Sequence, residues 1–445
     1  MSDIKILFVS LGCDKNLVDS EEMIGMLSKN NFSFTYSEDD ADVVIINSCC
    51  FINDAKEESI DNILHMAELK NEGRLKGIIV TGCLAERYKD EIIKEIPEVD
   101  AILGTASYDN IIEAINQILT GNHYVKYGEL DKLIVQEKNR VITTGGHYGY
   151  LKIAEGCNKN CTYCIIPRIR GRYRSVDMER LIETATRLAN NGVKELILVA
   201  QETTLYGVDI YGKKMLPELL KRLSKISGIE WIRLLYCYPE EITDELIQVI
   251  KTEDKICNYI DMPIQHSSDA ILKAMGRRTN RKELVERINK IRQEIPDVIL
   301  RTSLITGFPG ETGEDVDDLL DFVDEMEFDR LGVFTYSQEE DTKACEMDNQ
   351  IDEDIKSDRR DRIMELQQEI AFEKAKDKVG KTFRVIIEGK LTDENAYVGR
   401  TYMDAPNVDG CIFVNTAMQL MTGDMVNVKV TGASEYDLIG EIQEV

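Results

Sequence analysis

Three times within the first hundred residues, an apolar strand pattern runs into a cysteine and then an amphipathic helical pattern. "IKILFVSLGC" (4–13) precedes "DSEEMIGMLSK" (19–29), "DVVIINSC" (42–49) precedes "KEESIDNILHMAELK" (56–70), and "GIIVTGC" (77–83) precedes "RYKDEIIKEI" (87–96). Short, continuously apolar runs alternating with helices are the pattern of parallel strands buried on both faces, so this part reads as a parallel α/β sheet. Cys13, Cys49 and Cys83 each close one of these strands, at separations of 36 and 34 residues, about one βα unit each. The carboxyl ends of parallel strands share one edge, where ligands bind, so three thiols there can converge on one metal centre. Thiols that only fill space have no reason to recur at equivalent positions. Cys50 adjoins Cys49, and neighbours on an extended chain point opposite ways, so only one of the two is expected to face that edge.

After a charged, glycine-containing stretch at 136–150, read as a linker, the βα rhythm resumes. Strands are expected at 151–154, 195–200, 231–236, 259–262, 298–306 and 331–336, with helices at 177–190, 216–226, 243–251, 281–294 and 313–326. Six such units suit a partial barrel better than a full eight-stranded one. A long charged helix (352–379) leads to short strand patterns, "TFRVIIEG", "AYVGRTYM", "GCIFVNT" and "DMVNVKVTGAS", separated by glycine and Asn/Asp as in a small antiparallel β-barrel. The expected division is an N-terminal domain at 1–135, the linker, a central domain at 151–375 and a C-terminal domain at 376–445.

At the start of the central domain, "YLKIAEGCNKNCTYCIIPRIRG" (150–171) carries Cys157, Cys161 and Cys164 in C-x3-C-x2-C spacing, with no fourth candidate ligand close behind. Three buried thiols are out of place in a polar loop beside Asn158, Lys159 and Asn160. A four-iron cube held by three thiolates keeps one iron open for another molecule. Zinc is the alternative, but a structural zinc site needs four ligands; His147 could supply the fourth. Other groups fall at the ends of later strands, where a barrel collects its ligand contacts. They are Gln201 and Glu202, Gln265 and His266, and Gly307 and Gly310, the last two permitting close backbone approach. The remaining thiols, Cys237, Cys257, Cys345 and Cys411, have no ligand-like spacing.

Composition narrows the setting. The formal net charge is −27, which repels phosphate backbones unless a local basic patch intervenes and attracts basic partners. Eleven scattered cysteines suit a reducing compartment rather than a disulfide framework. No apolar run approaches the roughly 20 residues of a membrane span and no signal-peptide pattern is visible, so no membrane association and a cytoplasmic location are expected.

The loop spacing, with the aromatic Tyr163 before its last cysteine just after a first barrel strand, resembles the radical S-adenosylmethionine enzymes. That resemblance implies an open iron that chelates S-adenosylmethionine and, on electron transfer, a 5'-deoxyadenosyl radical. The strings "SLGCDKNLVDSE" (10–21), "INSC" (46–49) and "TGCLAERY" (81–88) resemble the methylthiotransferase branch, and the C-terminal domain resembles TRAM. The match covers nearly the whole chain. It implies two [4Fe–4S] clusters, one on Cys13, Cys49 and Cys83 and one on Cys157, Cys161 and Cys164. S-adenosylmethionine then serves as both methyl donor and radical source. Cofactor contacts are expected at Tyr163, Gln201, Glu202, Gln265 and Gly307. The chain departs from its relatives in "RGRYRSV" (170–176), where Val176 stands at a position usually held by arginine.

The branch contains enzymes acting on transfer RNA adenosine and enzymes acting on a ribosomal protein. Residues 380–445 hold five Lys/Arg (Lys381, Arg384, Lys390, Arg400, Lys429) against ten Asp/Glu, a poor surface for phosphates and a good one for a basic protein loop. Asp14-Lys15-Asn16 also resembles the protein-modifying branch; the transfer RNA branch more often has Gln-Met-Asn there. The expected activity is methylthiolation of an aspartate β-carbon in small-subunit ribosomal protein twelve, alone or within the ribosomal subunit, supported by an electron donor protein. No transfer RNA partner is expected. The alternatives are a transfer RNA adenosine methylthiotransferase and a non-catalytic iron–sulfur or zinc protein that binds ribosomes.

Overall fold

The computed structural model describes residues 4–132, 139–392 and 395–443. Part of the linker expected at 136–150, residues 136–138, lies outside them. The chain forms two compact units that do not follow sequence order: Met1–Thr143 with Ala154–Val176 and Ser337–Cys345, and Thr144–Ile153 with Asp177–Tyr336 and Glu346–Val445.

The first unit is built on six strands: β1 (Lys5–Ser10), β2 (Ser33–Thr35), β3 (Val43–Ser48), β4 (Gly77–Gly82), β5 (Ala101–Leu103) and β6 (Tyr124–Lys126). They pair in parallel in the order β2-β1-β3-β4-β5-β6. Sequence reading found β1, β3 and β4; the other three strands are only three residues long and carry little periodic signal. Alternation along β3 and β4 builds a core on each face of the sheet. Val44, Ile46, Ile78 and Val80 pack with Ile63, Met66 and Leu69 of helix α1 (Asn53–Asn71). Val43, Ile45 and Ile79 face Met23, Leu27, Ile111 and Ile115 on the other side. The first core also takes in Ile165 and Ile169, which flank and occupy the short helix Ile166–Arg170 just after the cysteine loop. Their burial explains why the loop belongs with the first sheet rather than with the strand that leads into it. The described end of the linker is fixed as well: Arg140 Nε and the Thr143 backbone N–H both donate to the buried Glu21 carboxylate, at 2.8 and 2.6 Å.

The second unit contains six parallel strands in sequence order: Tyr148–Lys152, Glu195–Val199, Trp231–Leu234, Ile256–Asp261, Ile299–Thr306 and Arg330–Thr335. Both edge strands have one neighbour each, so this is the partial barrel expected. The intervening helices include Met178–Asn190, Arg281–Glu294 and Gly313–Met326, the last with a Thr312/Asp315 capping box. Helix Glu353–Lys376 leads to a closed five-stranded barrel of Thr382–Lys390, Ala396–Arg400, Ile412–Asn415, Met425–Ser434 and Asp437–Ile442.

A buried charge network joins that barrel to the parallel sheet. Fully buried Glu195 accepts from Arg233 Nε and from Arg400 Nη2, both at 2.7 Å. Burial alone would raise the Glu195 carboxyl, but Arg400 and Arg233 outweigh it and hold its pKa at about 2. A carboxyl depressed on folding stabilises the fold above its unfolded pKa, and that stability is lost as pH falls from about 4.5 toward 2. Glu195→Gln, which takes the counter-charge from Arg233 and leaves Arg400 only Glu388, is expected to cost about 3–5 kcal/mol by denaturant unfolding at pH 7. The deficit should shrink at pH 3.

Candidate functional site

The N-terminal cysteines sit at a topological switch point. From β1 the sheet grows first to β2 and then, on the opposite side, to β3, and such a reversal opens a crevice at the carboxyl ends. Cys13 follows β1 and caps the next helix, Cys49 follows β3, and Cys83 follows β4. The register places Ser10 level with Asn47, and Ser48 level with Gly82, so the three thiols leave three adjacent strands at about the same height. Glycine makes the approach possible. Gly12 and Gly82 have φ of +86° and +91°. A Cβ on Gly12 would lie 2.8 Å from Cys49 Sγ, and one on Gly82 would strike Asn47 Oδ1 and the Ser48 carbonyl. Gly82→Ala is therefore expected to destabilise the metal-free chain by roughly 1–3 kcal/mol, read as a lower urea midpoint.

Cys49 and Cys83 are buried, and burial pushes both thiols upward, with neighbouring cysteines of the set adding to the shift. Cys50 lies in the apolar core and is pushed up to about 12 by burial.

The second set lies in an irregular loop closed by a two-residue antiparallel ladder, Ala154–Glu155 against Arg174–Ser175. Gly156 (φ +79°) precedes Cys157 as Gly12 and Gly82 precede their cysteines, and a Cβ there would collide with the Gly171 and Arg172 carbonyls. The Tyr173 N–H donates to Asn158 Oδ1 at 3.1 Å, and the Lys159 N–H is directed at Cys157 Sγ at 3.4 Å. Cys157 and Cys161 are buried. The Cys164 thiol is pushed up by burial and then by Cys161 and Cys157, so it lies within electrostatic reach of both. Tyr163 is half-buried in the turn. The segment Ser337–Cys345 closes over this region: the Ala344 N–H donates to the Thr162 carbonyl at 2.9 Å, and buried Arg87 pairs with Glu339 at 2.7 Å.

All six cysteines thus belong to the first unit, a grouping that sequence reading did not anticipate. It also missed Arg170. This buried guanidinium, six residues after Cys164, donates from Nη1 to Asp19 Oδ2 at 2.8 Å and Glu155 Oε2 at 3.3 Å. Its Nη2 reaches Cys83 Sγ at 3.3 Å and also bonds Asn16 Oδ1. Asn16 in turn donates to the carbonyls of Leu11 and Ser48, tying the ends of two cysteine-bearing strands together. The only sequence signal was indirect, since Arg170 and Asn16 lie in the two motif strings "RGRYRSV" and "SLGCDKNLVDSE".

The donor set fits iron–sulfur clusters. Each set offers three thiols in a glycine-shaped cradle, with N–H groups directed at sulfur, a feature that tunes such clusters. Among the described residues, no three His, Cys, Asp or Glu side chains crowd closely enough to chelate a single ion. A cube takes one thiolate per iron and does not require such crowding. His147, the possible fourth zinc ligand, has its Nε2 engaged by Glu388 at 3.3 Å.

In the second unit the other expected residues lie at strand ends. Gln201 and Glu202 follow Glu195–Val199, and Glu202 is fully buried, accepting the Thr204 N–H at 3.0 Å. Gln265 (φ +74°) is knit to the neighbouring strand: its N–H bonds the Ser303 carbonyl, and its carbonyl accepts from the Ile305 N–H. Gly307 donates its N–H to Glu311, and a Cβ there would meet the buried Lys356 side chain, so its smallness is required by packing on that side. Buried His266 accepts the Ser268 N–H at Nδ1 and lies 3.5 Å from Glu311.

Residues 151–323 match the Radical SAM superfamily, 5–104 match Uncharacterized protein family UPF0004, and 379–442 match the TRAM domain. Among solved structures, a radical S-adenosylmethionine methyltransferase from Kitasatospora setae, TsrM, covers 75% of each chain with a TM-score of 0.55. At 14% identity that likeness concerns the fold alone. The curated protein "Ribosomal protein uS12 methylthiotransferase RimO" of Lachnoclostridium phytofermentans is 63% identical over 98% of this chain and 99% of its own length. The protein of the same name from Clostridioides difficile is 51% identical over 99% of both. The chain belongs to the ribosomal protein uS12 methylthiotransferase family, and with it to the radical S-adenosylmethionine enzymes, which work with [4Fe–4S] clusters and S-adenosylmethionine.

Proposed function

We propose that Cys13, Cys49 and Cys83 hold one [4Fe–4S] cluster, that Cys157, Cys161 and Cys164 hold the other, and that the product is a methylthiolated aspartate of uS12. The observation that carries the assignment is the pair of three-thiol sets within one compact unit, with positive-φ glycines preceding Cys13, Cys83 and Cys157. When bound, the clusters and S-adenosylmethionine supply a carbon radical able to remove hydrogen from an unactivated C–H bond, together with the methyl group of the product. General-base chemistry could not do this, because the β-carbon has no useful acidity. The chain's own residues bind and orient. The cysteines leave one iron of each cube without a protein ligand. Tyr163, Gln201, Glu202, Gln265 and Gly307 are assigned to positioning the cofactor. Burial of Cys157 and Cys161 keeps water from the sulfurs.

The choice of a protein substrate over RNA is supported by the C-terminal barrel. Its few cations are partly used internally: Arg400 is buried against Glu195 and Glu388, and Arg384 pairs with Glu230 at 2.8 Å. Neutralised guanidiniums release no counterions from a phosphate backbone, whereas the remaining carboxylates suit a basic ribosomal loop. Further partners in this reading are an electron donor protein and uS12, free or within the ribosomal subunit, in the cytoplasm. Among the described residues, no helix is long and apolar enough to cross a membrane. Mass spectrometry of ribosomal proteins and transfer RNA from cells lacking the gene tests the substrate. Loss of a methylthio group from uS12, with transfer RNA unchanged, is expected. The reverse pattern would refute it.

A further inference from the structure

We infer that Arg170 is a positioning residue for the cluster on Cys13, Cys49 and Cys83, its N–H holding the Cys83 sulfur and making that cluster easier to reduce. This rests on the cluster assignment proposed above. The guanidinium is buried and held from several sides: Asp19 and Glu155 take Nη1, while Asn16 and Cys83 Sγ take Nη2. The Asn16 amide is itself fixed by the carbonyls of Leu11 and Ser48, so the nitrogen that meets the sulfur has little freedom to turn away. A charge-assisted N–H to a cluster thiolate stabilises the reduced form more than the oxidised one, because the added electron raises negative charge on sulfur.

The position of Arg170 is also set by the other cysteine loop. Arg170 ends the helix Ile166–Arg170, which begins two residues after Cys164 and is anchored by buried Ile169 and by Thr105 Oγ1 donating to the Ile169 carbonyl at 2.7 Å. A rearrangement of the loop would therefore move a charge against the sulfur of the other set. Asp19 and Glu155 are buried carboxylates, and the cation beside Cys83 offsets negative charge that would otherwise oppose reduction.

The test uses the full chain with Cys157→Ala, Cys161→Ala and Cys164→Ala, reconstituted anaerobically with iron and sulfide and titrated by EPR for its midpoint potential. This parent should retain about four irons. A parent without iron would sink the cluster assignment itself rather than the role of Arg170. Arg170→Gln added to it is expected to shift the midpoint to more negative potential, and Arg170→Lys to recover part of the shift. An Arg170→Gln protein with its iron intact and an unchanged midpoint would overturn the inference, leaving Arg170 as packing alone. Should Arg170→Gln fail to fold or load, Arg170→Lys decides by itself, since an ammonium held by Asp19 and Glu155 cannot also present the Nη2 N–H to the sulfur. A midpoint more negative than the parent's is then expected, and an unchanged one overturns the inference.

Discussion

Cys161→Ala is expected to reduce methylthiolation of uS12 to the detection limit and to lower reconstituted iron from about eight to about four per chain. The effect is this large because Cys161 is one of three thiols in a loop that offers no substitute. The nearby side chains Asn158, Lys159 and Asn160 are poor iron ligands. Formation of 5'-deoxyadenosine from S-adenosylmethionine should disappear with the product. Full iron and undiminished cleavage in this variant would remove the loop from the radical step.

Cys83→Ala should also abolish the methylthio product, but by a different route. Its iron should likewise fall by about half, yet the loop set remains complete, so 5'-deoxyadenosine should still form on reduction. Product loss with retained cleavage is the signature of a sulfur-handling centre separate from the radical centre. Cys83 is the informative member because it is buried, begins a helix, and is the sulfur that Arg170 touches. If Cys83→Ala eliminates cleavage as thoroughly as Cys161→Ala, the two sets do not work as independent centres. Cys50→Ala provides the contrast: it removes a core thiol and should leave iron at about eight, with a stability loss of roughly 1 kcal/mol.

The strands that carry chemistry were the easiest to read. β1, β3 and β4 are long, apolar and each followed by a cysteine, and all six strands of the partial barrel fall near their expected positions. The strand leading into the cysteine loop begins at Tyr148, earlier than expected, because "HYGY" was read as linker; a glycine between aromatics gives a poor strand signal. The barrel's last strand, Asp437–Ile442, was not singled out, and its parallel pairing with Ile412–Asn415 is a long-range event that no local pattern encodes.

What sequence could not supply was the assembly of the site. Spacing placed each cysteine at a strand end or in the loop, but not all six in one unit. That grouping depends on Ile165 and Ile169 entering the first core and on Ser337–Cys345 folding over the loop. Neither has a periodic signature. Arg170 and Asn16 are single polar residues whose importance comes from partners up to 154 positions away. The glycines before Cys13, Cys83 and Cys157 were visible as letters. Their necessity appears only when the neighbouring backbone and side chains are in place.

The most direct measurement is turnover by the purified chain, reconstituted anaerobically and supplied with S-adenosylmethionine, a reductant and uS12, followed by fragmentation mass spectrometry. The predicted result is one methylthio group on an aspartate of uS12, dependent on both cysteine sets and accompanied by about eight irons per chain. An active two-cluster preparation that leaves uS12 unmodified while methylthiolating transfer RNA would contradict it.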